Sequence, residues 1–560
     1  MKRLLSFIAS LSVLVTLVAQ SPTELKVING TQRLFANGNP YLLLCGELHN
    51  STSSTRESLE AAMKTLKAMQ LNSVITTLGW EQFEPEEGRF DYSVIDYTIQ
   101  LAVKYEMRIV LAWFGSWKNG ESSYVPMWVK QNTRKYFHAK QPDGTSSSMI
   151  SPFCKEACKA DARAFAQLMR HIKKTDTHKL ISVVQVENEV GVFMDMDHGK
   201  EALQALNSDV PQKLISYLQK HKKVLGKRLL QRWAENGYRK RGTWLQLFGD
   251  NFDARQFLMS YAYAEYLEEI AKAGKEIYAL PMYTNCWLAS SDDEKPGRWS
   301  PCGGPQSKVI DIYKAAAPSL DWLSPDIYNP DFRNICQQYH RFDNPLFIPE
   351  TSRTMGPAYY AFAEHNAMCF APFAIEDTYN APYLLGEYQT LSELLPVISE
   401  NQGKGNMHGF VRQANDTTKD TVQFTMGDYR LEVHYIKGEK NAHGLIIQTG
   451  KDQFLVAGVG CFIKPKAIKT GMECRIGFAE EIEWKGSKWH TKVILNGDQT
   501  AHHSMLYLRG RMPNAPYKSF GFDIPAPYTD VSSQRMHLPE WQNRFKYSGV
   551  YKMSLYSYPL

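Results

Sequence analysis

The stretch ISVVQVENEV, residues 181–190, is apolar at Ile181, Val183, Val184 and Val186 and then breaks into Glu187, Asn188 and Glu189. An apolar run of strand length suits a parallel strand covered on both faces. Two carboxylates and an amide at its C-terminal end are costly to bury without partners, and in α/β barrels that end carries the chemistry. Taken alone, the run also fits a strand that exits into solvent. A second run, PLFIPE at residues 345–350, likewise stops at a carboxylate, Glu350, and the pair favours a site.

Strand-then-helix units repeat on both sides of this stretch. The strands read as Tyr41 to Cys45, Leu71 to Trp80, Met107 to Phe114, Ile181 to Glu187, Glu276 to Tyr283, Leu320 to Pro325, Pro345 to Pro349 and Ala367 to Pro372. Ser54 with Glu57 reads as a capping box, and Leu59, Met63, Leu66 and Met69 follow at helical spacing. Helices are expected over 92–105 and 155–173, with a long helical excursion over 196–274. Eight such units predict a (β/α)8 TIM barrel over 21–401, preceded by a small hairpin with Asn37-Gly38 as its turn. After Gln402-Gly-Lys-Gly-Asn406 the pattern changes to short alternating strands, Thr421 to Met426, Arg430 to Tyr435, Gly444 to Gln448, Phe454 to Val459, and Ile482 to Trp489 through Val493 to Leu495, which predicts a β-sandwich over 407–560. Its carboxylates, such as Glu432 and Glu483, sit inside alternating strands and are expected to take no part in catalysis.

Lys2 and Arg3 precede an apolar stretch from Leu4 to Ala19, which has the flanks and length of a secretory signal, residues 1–20. An exported protein, periplasmic or extracellular, is the expectation, and no later stretch reads as a membrane span. The net charge of +6 is too weak and dispersed to imply nucleic acid. Nine cysteines are scattered without histidines at metal spacing, so they read as buried apolar residues with no metal or cofactor implied. Cys461 and Cys474 are the one pair considered for a disulfide.

Asn188-Glu189 ending one strand, with Glu350 ending a later one, resembles the retaining glycoside hydrolases of clan A. The stretch QVENEVG (185–191) resembles the β-galactosidases of glycoside hydrolase family 35, although Val190 stands where that signature has an aromatic residue. The resemblance implies Glu189 as acid/base, Glu350 as nucleophile and Asn188 as the contact to the sugar 2-hydroxyl; alone, Glu350 also fits a carboxylate capping the Thr351–Arg353 turn. A strand alternates its side chains, so Asn188 and Glu189 can both face a pocket only if the strand bulges or bends there. Glu187 would then meet a backbone donor, a basic group or a substrate hydroxyl. Gly46-Glu47-Leu-His49 resembles the family's first-strand segment, where Glu47 meets sugar hydroxyls or buttresses an arginine. Trp80 to Phe90 resembles its Trp-to-Phe loop, in which Glu84 reads as a loop anchor and Trp80, at a strand end, is a candidate for stacking on a sugar or an ordinary core residue. Asn119 and Asn285 end the third and fifth strands as candidate sugar contacts. Tyr328 follows the sixth, as a donor to the nucleophile or as a core tyrosine.

The implied function is a metal-independent retaining exo-glycosidase acting on terminal β-D-galactosides of oligo- or polysaccharides. Spacing alone gives a retaining glycosidase, and the resemblance supplies the sugar. Another clan A activity, of β-glucosidase or arabinosidase type, and a catalytically silent carbohydrate-binding protein are the alternatives.

Overall fold

The computed structural model describes residues 20–291, 293–378, 381–416, 420–511 and 547–560. The segment read as an export signal lies outside these, apart from Gln20. A three-stranded antiparallel meander opens the described chain, with turns at Asn29-Gly30 and Asn37-Gly38. All four of these turn residues have positive φ, as a type I′ turn requires at both central positions.

Eight parallel strands follow: β1 (Leu43–Leu44), β2 (Ser73–Gly79), β3 (Arg108–Lys118), β4 (Ile181–Asn188), β5 (Met282–Trp287), β6 (Trp322–Ile327), β7 (Ile348–Thr351) and β8 (Cys369–Pro372). From β2 to β8 each strand pairs with its sequence neighbour, and β8 pairs with β1. Glu47, just beyond β1, bridges Ile75 of β2 on one side and Phe373 on the other. The ring is closed. This is a TIM barrel, with a helix after each strand: α1 (Arg56–Ala68), α2 (Ser93–Tyr105), α3 (Lys155–Thr175), α4 (Phe252–Lys275), α5 (Ile310–Ala316), α6 (Phe332–Tyr339), α7 (Gly356–Glu364) and α8 (Pro382–Asn401).

The strands are buried on both faces, as parallel strands are. Leu43, Ile75, Val110, Ala112, Val183, Tyr283, Trp322 and Phe347 fill the interior, and the opposite faces pack on the helices. In α1 the buried residues Leu59, Ala62, Met63 and Leu66 form one apolar stripe. Its N-cap is Thr55, whose side chain accepts from Ser58 N, and not Ser54, because Thr52–Ser54 already form a 3-10 turn.

Two expected boundaries shift. The helical excursion over 196–274 divides into four short helices, Lys200–Leu206 to Trp244–Phe248, and then α4. α4 is a barrel helix because its apolar residues, from Phe257 to Ile270, are buried against the barrel. The fifth strand begins at Met282 rather than Glu276, since the chain still caps α4 at Glu276 and must cross to the sheet.

From Met407 the chain forms two antiparallel sheets, of six and four strands, enclosing a core that includes Phe410, Leu431, Val433, Ile446, Val456, Ile463, Ile476 and Tyr551. The centre of the six-stranded sheet is apolar on both faces. Its alternate residues Leu445, Ile447, Leu455, Ala457 and Val550 join the barrel core, so the sandwich docks on the barrel through this sheet. Gly409 lies against α7, where a Cβ would come within 2.7 Å of the Tyr359 carbonyl. Beside it, the buried Glu387 of α8 accepts from Tyr359 Oη at 2.6 Å and from Ser548 N at 2.9 Å. Strands at Met407–Val411, Cys461–Ala467, Leu506–Leu508 and Gly549–Pro559 had no reading from sequence. The strand read from Ile482 is instead a hairpin, Met472–Lys485 with Lys488–Ile494. All nine cysteines are buried and free, Cys461 and Cys474 included. Among the described residues, no helix is long and apolar enough to cross a membrane.

Candidate active site

The catalytic end of β4 is bent by its own backbone. Glu187 and Glu189 have φ of 61° and 48°, a region that costs a non-glycine residue roughly 1–3 kcal/mol and persists only when its surroundings enforce it. Two devices enforce it here. β3 bulges against β4: Trp113 pairs with Val186, but the next partner of β4, Asn188, is Lys118. Beyond the bulge, Lys118 and Glu121 close a turn whose central residues, Asn119 and Gly120, have φ of 54° and 70°. The Asn119 and Gly120 N–H groups donate to the carbonyls of Asn188 and Glu189 at 3.2 and 3.0 Å. The bend lets Asn188 and Glu189 approach the pocket together, and it turns Glu187 the other way.

Glu187 is fully buried, and its two carboxyl oxygens accept the N–H groups of Ser116 and Trp117, each at 2.8 Å. It is a clamp on the β3 bulge, and the reading of Glu187 as a substrate contact is corrected. Burial, then the neighbouring Asp161 carboxyl, pushes Glu187 well above the usual carboxylate range. Asp161, also raised by burial, accepts from Trp113 Nε1 at 2.8 Å and Ser116 Oγ at 2.7 Å. Gly115 fits between them because any Cβ there would lie 2.5 Å from both carboxyls.

Asn285 is also corrected from substrate contact to scaffold. Its Oδ1 accepts Glu189 N at 2.9 Å, while Nδ2 donates to Asn188 Oδ1 at 3.0 Å and Asp326 Oδ2 at 2.7 Å. Both amide hydrogens are used, and the side chain is buried. Asn188 Oδ1 also accepts from Gln185 Nε2 at 2.9 Å, and one Nδ2 hydrogen is directed to Asn119 Oδ1 at 3.2 Å. The second Nδ2 hydrogen of Asn188 is left for a ligand. Asn119 is exposed at the rim.

Four carboxyls converge at the strand ends: Glu47 after β1, Glu189 after β4, Asp326 in β6 and Glu350 in β7. Burial and then the charge of Glu350 raise Glu189 to about 7, while the Lys118 ammonium opposes the rise. The same two causes push Glu47 and Asp326 well above the usual range. Glu350 accepts the Tyr328 hydroxyl at 2.6 Å through Oε1. Glu350 Oε2, Glu47 Oε2 and Asp326 Oδ1 are buried without a donor from an amide or hydroxyl, and Glu47 meets Glu350, and Asp326 meets Glu189, only carboxyl to carboxyl. Orphan acceptors in one place call for a hydroxyl-rich ligand, because an unpaired buried oxygen is costly. Lys118 was not singled out from sequence, whereas Asp326 stood with Tyr328 at the end of the sixth strand. Lys118 sits inside an ordinary-looking strand, and only the bulge delivers it to the pocket.

Trp80 is the remaining correction. It is fully buried, and its Nε1 donates to Glu84 Oε2 at 2.8 Å, so it packs beneath the loop instead of lining the pocket. Glu84 also accepts from Gly88 N and Arg163, anchoring that loop.

A family model of glycoside hydrolase family 42, described as beta-galactosidase, matches residues 49–257, which include Glu189 but not Glu350. A domain of unknown function (DUF5597) matches residues 384–506, running from α8 into the sandwich. No curated protein sequence matches the chain. Similar solved structures include the catalytic domain of a β-amylase from Paenibacillus polymyxa, at 12% identity and TM-score 0.42, covering 59% of this chain and 92% of that one. A catalytic mutant of a GH42 β-galactosidase from G. stearothermophilus has 13% identity and TM-score 0.42, covering 65% and 57%. A β-galactosidase from the psychrophilic Marinomonas ef1 has 12% identity and TM-score 0.43, covering 64% and 60%. The chain thus spans under two thirds of the length of these two β-galactosidases. The fold rests on its own strand pairing and not on these likenesses. The matching family is 42, which sets aside the expectation of family 35. The chain is thus similar to glycoside hydrolase family 42 over the first half of the barrel, and its carboxyls gather at the C-terminal face of that barrel.

Proposed function

We propose that the chain is a retaining exo-β-galactosidase in which Glu189 is the acid/base and Glu350 the nucleophile. The observation that carries this is the contrast between the two carboxyls: burial and the Glu350 charge keep Glu189 protonated near neutrality, while Glu350 receives the Tyr328 hydroxyl. Two carboxyls with roles set apart by environment are the requirement for this chemistry.

Glu189 gives its proton to the glycosidic oxygen as the bond to the anomeric carbon breaks. Glu350 Oε2 attacks that carbon from the other face and forms a glycosyl ester. Its negative charge is then gone, the pKa of Glu189 falls, and the Glu189 carboxylate takes a proton from water, which releases the sugar with its configuration retained. The free Nδ2 hydrogen of Asn188 suits the sugar 2-hydroxyl, whose hydrogen bonds strengthen in the transition state. Burial and the charge of Glu350 push Glu47, Asp326 and Glu189 toward their neutral forms, and the Lys118 ammonium offsets the negative charge, which suits a neutral sugar. The β-galactosidase match supports galactose as that sugar. The Lys2, Arg3 and Leu4–Ala19 segment supports export.

A panel of aryl glycosides tests the sugar, and proton NMR of the first-formed product tests retention. The reading expects β-galactoside cleavage with β-galactose appearing first. Preferential release of glucose or arabinose would refute galactose; an α-anomer appearing first would refute the double displacement.

A further inference from the structure

Lys118 is neither the acid, the nucleophile nor the contact to the 2-hydroxyl in the retaining reaction. It is 7% exposed, and its ammonium stands 5.1 Å from the centre of the Phe114 ring. Among the described residues that ammonium makes no hydrogen bond and no ion pair. A buried cation is costly unless it is paired. It also opposes catalysis, because the transition state has oxocarbenium character and a fixed positive charge repels it. A group held in place against both effects needs a task.

The backbone is shaped to put it there. Phe114 faces the barrel interior. At the bulge that follows, Ser116 and Trp117 both turn outward. Ser116 Oγ donates to Asp161 of α3, and the Trp117 ring packs on Tyr263 and Tyr266 of α4 at 4.9 and 4.5 Å. Two consecutive outward residues return Lys118 to the inner face, over Phe114, where it pairs with Asn188 of β4. The Asn119 and Gly120 N–H groups tie the next residues to the carbonyls of Asn188 and Glu189 at 3.2 and 3.0 Å. Lys118 and Glu189 therefore leave neighbouring strand ends for the same pocket.

The titratable groups that face Glu189 are Glu47 after β1, Lys118 of β3, Cys286 of β5, Asp326 of β6 and Glu350 of β7. Lys118 itself faces Glu47, Glu189 and Tyr124. Burial raises Cys286 and Tyr124, which stay neutral, and burial with the Glu350 charge raises Glu47 and Asp326. Lys118 acts in the other direction and draws Glu189 and Glu47 down. In the free enzyme, then, one cation and one anion, Glu350, surround the acid. When Glu350 becomes the sugar ester its charge is gone, and Glu189 has just given its proton to the leaving oxygen. The negative charge has moved from Glu350 to Glu189, while the cation has stayed.

We infer that Lys118 is a positioning residue for the second half of the reaction: a fixed counter-charge that keeps the Glu189 carboxylate ionised, as the base for water, once the ester has formed. The inference rests on the retaining reading above and deepens it. In that step the water oxygen bonds to the anomeric carbon and its proton passes to Glu189. The bond to Glu350 Oε2 breaks and its electron pair returns to Glu350, so the pocket holds one negative charge against Lys118 throughout.

The test uses a dinitrophenyl β-galactoside, whose leaving group needs no proton, so that kcat reads the second step. The subjects are the parent, Lys118→Met, Lys118→Gln and Lys118→Arg, with melting temperature as a folding control. In the Met and Gln variants the low-pH limb of kcat should move up by about one pH unit, a loss of about tenfold on that side, the order expected for one nearby charge at an effective dielectric of about 20. KM should fall with kcat, because the ester accumulates, and azide, which needs no base, should restore turnover as β-galactosyl azide. On a poor leaving group the alkaline limb of kcat/KM should also move up, since the acid keeps its proton longer. Lys118→Arg should stay close to the parent. Unmoved limbs, a loss in kcat/KM on the dinitrophenyl substrate as large as that in kcat, or a Lys118→Arg enzyme no better than Lys118→Met would overturn the inference. A parent that cleaves the glycoside of another sugar moves the series to that sugar, and only the galactose reading has failed. A parent that cleaves no aryl glycoside, or that inverts, refutes the retaining reading and this inference with it.

Discussion

Asn285→Ala removes the amide that holds the bent end of β4. In the folded protein this side chain accepts the Glu189 N–H at 2.9 Å and donates to Asn188 and Asp326. Stranding a buried N–H costs about 1–3 kcal/mol. Glu189 also sits at φ 48°, a conformation worth roughly 1–3 kcal/mol of strain for a non-glycine residue. The two quantities are of the same size, so without Asn285 the residue relaxes toward ordinary backbone angles, and its carboxyl leaves the position facing Glu350. A displacement of about 1 Å at a reacting group costs on the order of a hundredfold in rate. The variant should therefore lose about two orders of magnitude in kcat on a poor leaving group, with KM changed little, while urea unfolding shows a loss of only about 1–3 kcal/mol. Kinetics on an unactivated galactoside and equilibrium unfolding, run on the same preparation, measure both. An unchanged kcat with a raised KM would refute the reasoning, because it would make Asn285 a substrate contact after all.

Because Glu189 titrates near pH 7 and acts first as an acid, kcat/KM for a poor leaving group should fall as pH rises through about 7; a pH profile flat to pH 9 would be inconsistent with that role. The same group is destabilising when charged: a carboxyl raised from 4.5 to about 7 in the folded state contributes stability below pH 4.5 that is lost as pH rises through about 7, roughly 3 kcal/mol in all. Glu189→Gln should accordingly raise the melting temperature at pH 8 and not at pH 4, as calorimetry at the two pH values would show. Tyr328→Phe removes the 2.6 Å hydrogen bond that receives Glu350 as it leaves the glycosyl ester. The kcat on an activated aryl galactoside should fall by roughly ten- to a hundredfold, the worth of a hydrogen bond to a charged group, and a loss under twofold would count against the nucleophile assignment. Gly115→Ala forces a methyl to within 2.5 Å of Asp161 and Glu187; overpacking of this kind costs about 1–3 kcal/mol, and chemical denaturation should register it.

The barrel was legible because its strands are continuous apolar runs ending in polar residues, a pattern that burial on both faces imposes. Glu189, Glu350 and Tyr328 could be placed at strand ends for the same reason, while the roles expected of them came from the family resemblance. What sequence reasoning missed depends on backbone geometry that residue order does not display. The three-residue offset in β3 sends Lys118 into the pocket, and positive φ at Glu187 and Glu189 decides that one carboxylate faces the pocket and the other faces Ser116 and Trp117. Asn285 and Trp80 carry polar groups at the right strand ends, yet every donor they have is consumed inside the protein. The sandwich strand Cys461–Ala467 hides behind Pro465.

With Glu47, Glu189, Asp326 and Glu350 all in one pocket, the central claim is that Glu350 alone forms the bond to the sugar. Treating the protein with a 2-deoxy-2-fluoro-galactosyl fluoride, whose ester intermediate turns over slowly, and mapping the modified peptide by mass spectrometry tests it directly. The account predicts a single fluoro-sugar adduct on Glu350, formed also by Glu189→Gln when the leaving group is fluoride. An adduct on Glu47, Asp326 or Glu189 would contradict it.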